Sequence, residues 1–318
     1  MTTRGDVLPV GPPVQLEWQI GRTRDIEEVR LAVESSEHIV LIDVRRTGKS
    51  TVALGAMEQL ARAGCMVFLL DAREGSPDSA ELARRLRHQL CAYRTAKGKL
   101  FSGASRAVNT LYEIGLGVTT LIDDPATRAA VAGAMQALNR EQHSGVQELD
   151  AVLREISAEA ESQDSSAVVL IDEVQAITAL PDRGAIEALF RDRLAARSAP
   201  SFVFAGSERT AMETLFAEGG MLHFHGIAHS LKEIAETDWR EGLSRAFRAL
   251  GCEITEDAIT ELLQESGGAP HRTMLIARET HRIVQMSRTP KSVSRGHVVA
   301  GVQAAQRQRN SWRIGGEE

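Results

Sequence analysis

The sequence predicts an α/β fold: a parallel sheet with helices on both faces, followed by a small all-helical domain. Three observations predict it. The runs Ile39-Val40-Leu41-Ile42 and Val168-Val169-Leu170-Ile171 are continuously apolar rather than alternating, as in strands covered on both faces. Helical and strand patterns alternate through residues 19–94. From Asp238 onward only the helical period remains, over 239–250, 255–265, 270–286 and 294–308.

These patterns divide the chain into an N-terminal arm (1–18), an α/β domain (19–234), a helical domain (235–308) and a flexible tail (309–318). In the arm, Gly11-Pro12-Pro13 breaks regular structure, and Val14 to Trp18 are expected to pack on the α/β domain. Pro77-Asp78-Ser79 opens a helix carrying Leu82, Leu86 and Leu90. Residues about 95–147 read as an irregular insertion, punctuated by Gly103, Gly115, Gly117 and Gly145. Gly115-x-Gly117 is not a second phosphate loop, because no Lys or Ser/Thr follows at the required offset. An amphipathic helix over 148–161 presents Leu149, Val152, Leu153 and Ile156 and leads into the second apolar run. A short helix over 211–217 and a last strand over 221–228 complete the domain. His223 and His225 share a face of that strand near His229, but no Cys or acidic ligand stands among them, which argues against a metal. Ser292-Val293-Ser294 reads as the start of the last helix.

The chemistry concentrates after the first apolar run. The segment Asp43-Val44-Arg45-Arg46-Thr47-Gly48-Lys49-Ser50 joins a strand to a helix and ends as a P-loop ends. Amides at such a helix start point at an anion, and the helix dipole adds to the attraction. Arg45, Arg46, Thr47, Gly48, Lys49, Ser50 and Thr51 are the expected phosphate-binding residues. Lys49 would reach the β- and γ-phosphates, and the Ser50 hydroxyl would ligate Mg²⁺. Asp43 replaces the first glycine of the pattern G-x-x-x-x-G-K-[ST]. It is expected to take the left-handed conformation that Asp tolerates better than most residues. Its carboxylate opposes a triphosphate unless it points away.

The second apolar run ends in Asp172-Glu173, where ligands bind in open α/β sheets. Asp172 would hold Mg²⁺ through water, and Glu173 would orient or polarise the attacking water. The plainer reading is a helix N-cap pair after a buried strand. A third strand, Ser201 to Ser207, places the Ser207 hydroxyl to sense the γ-phosphate or hold that water; alone, Gly206-Ser207 would read as a turn.

In this order the segments resemble AAA+ ATPases of the archaeal-type, STAND-related clade. Ile20-Gly21-Arg22 before a helix over 25–33 is similar to that clade's "GR-E" opening. The loop Asp43 to Ser50, the strand Val67 to Asp71, Asp172-Glu173-Val174-Gln175 and Gly206-Ser207 match its successive motifs, over roughly residues 19–290 and only loosely over 95–150. The resemblance implies ATP and Mg²⁺ as cofactors, Ile20, Gly21 and Arg22 as nucleotide-binding residues, and Lys49, Glu173, Ser207 and Arg272 as catalytic ones. Arg272 stands in Gly267-Gly268-Ala269-Pro270-His271-Arg272, where relatives place a lid arginine; Arg278 is the alternative. Where many relatives carry an arginine finger in G-R-A, this chain has Gly226-Ile227-Ala228, and no Arg lies between Arg209 and Arg240. Arg191, Arg193 and Arg197 are substitutes, or simply solvate a helix face.

Composition bounds the rest. The chain has 318 residues, 43% hydrophobic and 25% charged, with a net charge of −6, as in an ordinary globular protein. The acidic balance and 4% aromatic content give no general pull toward nucleic acid and no evident stacking platform. Three scattered cysteines, Cys65, Cys91 and Cys252, form no zinc spacing and fit a reducing cytoplasm. No apolar run is long enough to span a membrane, and the N-terminus lacks a signal-peptide core. The expected function is an ATP-binding protein, leaning toward a Mg²⁺-dependent ATPase whose nucleotide state sets the lid and the contact with a protein partner or a second copy. The alternatives are a nucleotide switch with little hydrolysis and a DNA-acting regulator of replication or transposition.

Overall fold

The computed structural model describes residues 7–10, 16–43, 46–73, 78–96, 144–196, 200–216, 218, 220, 222–223, 226–286 and 292–314. Most of the insertion expected at 95–147 lies outside them, with Arg45, Arg197 and His225. The chain divides into two compact units, one comprising Ile26–Arg45 and Val52–Leu231, the other Met1–Asp25, Arg46–Thr51 and Lys232–Glu318.

The first unit is built on five strands: β1 (Ile39–Ile42), β2 (Met66–Asp71), β3 (Ala167–Asp172), β4 (Ser201–Gly206) and β5 (Ile227–His229). They form one sheet in the order β2-β3-β4-β1-β5, with every pair parallel. Every residue of β2, β3 and β4 is buried, which is why these strands read as unbroken apolar runs. The helices between and before them are α1 (Thr23–Glu34), α2 (Lys49–Arg62), α3 (Ser79–Ala96), α4 (Gly145–Ser162), α5 (Arg183–Ala195) and α6 (Arg209–Phe216). Leu82, Leu86 and Leu90 of α3 share one core with Leu149, Val152, Leu153 and Ile156 of α4. Phe190, Phe202 and Phe204 add edge-to-face and stacked ring pairs, with centroids 5.7–5.9 Å apart.

The last strand is shorter than the pattern 221–228 suggests. Leu222 is buried with its amide bonded to Leu215 O of α6 (2.9 Å), so this stretch turns back onto the helix instead of pairing with β1. His223 lies in that turn, and His229 pairs with Glu28 at 3.3 Å. Among the described residues no cluster of three metal-ligating side chains occurs.

Among the described residues β2 is an edge strand. The buried Gln89 side chain of α3 accepts from Leu69 N (2.8 Å) and donates to Leu69 O (2.6 Å), satisfying a backbone pair that the sheet leaves open.

The second unit holds α7 (Glu236–Ala249), α8 (Glu256–Ser266), α9 (Pro270–Met286) and α10 (Arg295–Ile314). Two two-residue strands, β6 (Glu253–Ile254) and β7 (Ser292–Val293), pair in parallel between them; the sequence pattern suggests only helices here. The core gathers Trp239, Leu243, Phe247, Ile259, Leu262, Ile276 and Val302, and Val7 and Leu8 bury in it. Trp18 packs against this helical core, not on the sheet as expected for the segment 14–18. Gly267 (φ 62°) and Gly268 (φ 67°) turn the chain sharply between α8 and Pro270, the first residue of α9. Among the described residues no helix is long and apolar enough to cross a membrane.

Replacing Gln89 with Leu leaves both Leu69 groups buried and unpaired. Urea denaturation should then show a loss of roughly 2–4 kcal/mol, from about 1–3 kcal/mol per orphaned group. A loss below about 0.5 kcal/mol would refute the edge-sealing role.

Candidate functional site

The phosphate loop is built by its backbone. Gly48 has φ 102°, where side chains are rare, and a Cβ there would meet only Arg22 Nε, at 3.7 Å. α2 begins at Lys49, so the amides of its first turn stand at the loop, and Lys49 is buried. Arg46 has φ 71°. Asp43, expected to be the left-handed residue, is not among the positive-φ positions, so the tight bend falls at Arg46 and Gly48 instead.

Arg22, 5% exposed, braces the loop: its Nη2 donates to Thr47 O (2.8 Å) and its Nη1 to Asp25 Oδ2 (3.0 Å) and Lys232 O (2.6 Å). Ile20 is buried, and a Cβ on Gly242 of α7 would strike it at 2.5 Å. Gly21 has φ 63° and sits against Ile234 and Asp238, leaving no space for a side chain.

At the start of α9, Arg272 is exposed and His271 is half-buried. Burial, then the charges of Arg46 and Arg278, hold the His271 imidazole below its ordinary pKa. Arg46 of the loop thus acts on His271, the residue before Arg272.

The acidic residues assemble in the sheet unit. Parallel register places Ile42 beside Gly206, Ile171 beside Phe204 and Asp71 beside Asp172, so these strands end along one edge. Asp71 and Asp172 are both buried. Glu173 adopts φ 50° and ψ 41°, turning the chain from β3 into a 3₁₀ helix, Val174–Ala179. Such a left-handed non-glycine residue costs about 1–3 kcal/mol. The Glu173 amide donates to Asp172 Oδ1 at 2.9 Å.

Three side chains meet the Glu173 carboxylate. The Ser207 hydroxyl donates to Oε2 at 2.7 Å, Gln175 Nε2 donates to the same oxygen, and Arg73 Nη1 lies 3.1 Å from Oε1. Gln175 also accepts from Ser207 N at 3.3 Å, and a Cβ on Gly206 would collide with Gln175 and Met212. Arg73 Nη2 is paired with Asp71 Oδ2 at 2.9 Å, and that bond, with the surrounding acids, raises the guanidinium pKa above its ordinary value. Three carboxylates thus act on one guanidinium.

No protein-family model and no curated protein sequence matches this chain. Solved structures do. A Walker-type ATPase of Pyrococcus abyssi superposes with a TM-score of 0.66 at 16% identity, covering 97% of this chain and 77% of the other. The Orc1 protein of Aeropyrum pernix, solved in complex with DNA, gives 0.56 at 15% identity, covering 98% and 72%. These likenesses show that the chain shares the α/β fold of those two proteins.

Within this fold, Glu173, Ser207 and Gln175 come together directly, and Arg22 reaches Thr47 and Gly48, while Ile20 and Gly21 pack on the helical segment at Gly242, Ile234 and Asp238. Arg193 is bonded to Asp150 of α4 (Nε to Oδ1, 2.7 Å) and Arg191 stands beside Asp192 (3.6 Å), so both belong to the helix surface. Arg73 is the residue that sequence patterns missed: a half-exposed Arg two positions beyond a strand carries no periodic signal.

Were a polyphosphate to bind at the loop beside Arg46, its charge would raise the His271 pKa and a proton would be taken up. Affinity should therefore increase as pH falls through the window between the raised bound value and the lowered free value, around and below about 6.5. A nucleotide titration from about pH 8 to 5.5 checks this, with His271→Ala flattening the response. A pH-independent parent protein would contradict it.

Proposed function

We propose that the chain binds ATP with Mg²⁺ and hydrolyses it. The observation that carries this reading is the shared carboxyl edge of the sheet. There β1 ends in the chain direction that continues into the glycine-turned loop, and β3 and β4 bring Asp172, Glu173 and Ser207 to their ends. The residues fit the nucleotide: Gly48 leaves the loop open to close approach, and the α2 amides and Lys49 complement phosphate charge. Ser50 and Asp172 would hold Mg²⁺, which at such sites takes one or two protein ligands and phosphate oxygens. When bound, the cation neutralises charge developing on the phosphates.

Lys49 attracts and orients the β- and γ-phosphates. Glu173 is the candidate to hold the attacking water, with Ser207 aiming its carboxylate through the 2.7 Å bond. To accept a water, Glu173 must give up part of its contact with Arg73. Arg272 and His271 stand at the start of α9 as candidates for the γ-phosphate.

A second reading, a nucleotide switch with slow turnover, is favoured by that same Arg73–Glu173 contact and by the absence of Arg between 209 and 240. An arginine finger is worth roughly 10³–10⁵ in rate, so its absence matters. In either case the nucleotide state would set contact with a protein partner or a second copy. The likeness to an Orc1 protein leaves a DNA-acting role as a further alternative, against the net charge of −6. A cytoplasmic location fits this reading.

Lys49→Ala should weaken ATP binding by about 10–100-fold, the worth of a charge-assisted bond. Glu173→Gln should keep binding within a few-fold and lower phosphate release by about 10²–10⁴-fold. Unchanged release from Glu173→Gln would favour the slow switch, and unchanged ATP uptake by Lys49→Ala would dismiss both.

A further inference from the structure

The chain passes between the two units four times, at 25/26, 45/46, 51/52 and 231/232. At every one of these crossings, a group within two residues is held by one of two neighbouring side chains. Arg22 Nη1 bonds Asp25 Oδ2 (3.0 Å) at the first crossing, and Nη2 bonds Thr47 O (2.8 Å) at the second. Gln19 Nε2 donates to Thr51 O (3.1 Å) at the third, and Arg22 Nη1 donates to Lys232 O (2.6 Å) at the fourth.

We propose that Gln19 and Arg22 are positioning residues that gather these crossings, so that a nucleotide on the phosphate loop is felt at Lys232, where the helical segment begins. The proposal rests on the nucleotide reading above.

The segment carrying the two side chains is itself held firmly. Arg245 of α7 donates to Gln19 O at 3.0 Å. Ile20 fills the space that a Cβ on Gly242 would need, and Gly21 (φ 63°) lies so close that its own Cβ would meet Ile234 at 2.4 Å. The segment is thus a fixed base on α7, and the bonds from Gln19 and Arg22 are the parts that can change.

Thr47 and Thr51 bracket Gly48, Lys49 and Ser50, the residues a phosphate would touch. Their carbonyls are anchored on the base that also holds Lys232, so a shift of the loop alters the bond at the linker through one rigid guanidinium. Arg22 Nε is buried and has no acceptor, and it faces the place where a Cβ of Gly48 would stand. A buried donor without an acceptor is a cost that a second setting of the loop can relieve. A ligand that shifts the loop to supply such an acceptor would favour the shifted setting. Asp25, 6% exposed, keeps the guanidinium in place by charge.

The test is hydrogen–deuterium exchange on the full chain, with and without Mg²⁺ and a non-hydrolysable ATP analogue, at concentrations that saturate each protein. In the parent, the analogue should slow exchange both at 46–52 and at 230–236. Arg22→Lys keeps the cation beside Asp25 but cannot serve three acceptors as a fork. In it, protection at 46–52 should persist while the effect at 230–236 falls to less than about half. Gln19→Leu, which leaves Arg22 intact, should reduce the effect of the analogue near 51–52 and provides a second readout if Arg22→Lys melts below the assay temperature. A parent-like response at 230–236 in Arg22→Lys, or a parent in which the analogue protects 46–52 alone, overturns the coupling. A parent with no protection at 46–52 overturns the nucleotide reading itself and is recognisable as such.

Discussion

The site depends on a charge problem that the parallel sheet creates. Its register brings the buried carboxylates of Asp71 and Asp172 side by side, and the next residue adds Glu173. Three acids cannot stand together at a sheet edge without cations, because desolvation and mutual repulsion both oppose it. Arg73 answers part of this by bridging Asp71 and Glu173. The negative charge left over is the feature on which the proposed divalent cation rests.

Backbone strain falls in the same places. Of the four non-glycine residues with positive φ among the described ones, Ser36 and Asp164 sit just beyond the ends of α1 and α4. The other two, Arg46 and Glu173, belong to the loop and the acid pair. Helix ends tolerate left-handed residues as part of stopping a helix. At Arg46 and Glu173 the strain instead aims a loop and a carboxylate, and the packing around them must hold it.

The parts of the molecule that rest on periodicity were legible in the sequence. Strands β1, β3 and β4 follow from apolar runs that both faces bury, and α4, α7, α8 and α9 follow from helical spacing to within three residues, whereas α10 continues to Ile314, six residues past the expected end at 308 and into the segment expected to be a tail. The turn from β1 into α2 and the strand ends at Asp172 and Gly206 were legible because each follows a buried apolar run. What was not legible depends on contacts distant in sequence. Gln89 seals β2 from 20 residues away, and Arg73 reaches Glu173 across 100 residues. Strands β6 and β7 are two residues each, too short for any period. Leu222 suited a strand by composition but buries against α6. At position 43 the argument from side-chain tolerance was sound, but the bend lies three residues later, where loop geometry decides.

The central claim is that the loop at Lys49 and the acids at 172–173 serve one metal–triphosphate. It is tested most directly by a crystal structure grown with Mn²⁺ and a non-hydrolysable ATP analogue, with the ion located by anomalous scattering. The account predicts one Mn²⁺ ligated by Ser50 and phosphate oxygens, with the Asp172 carboxylate on it directly or through water and the triphosphate on the amides of 47–51. A triphosphate bound away from that loop, or a metal with Asp172 remote from it, would contradict the account.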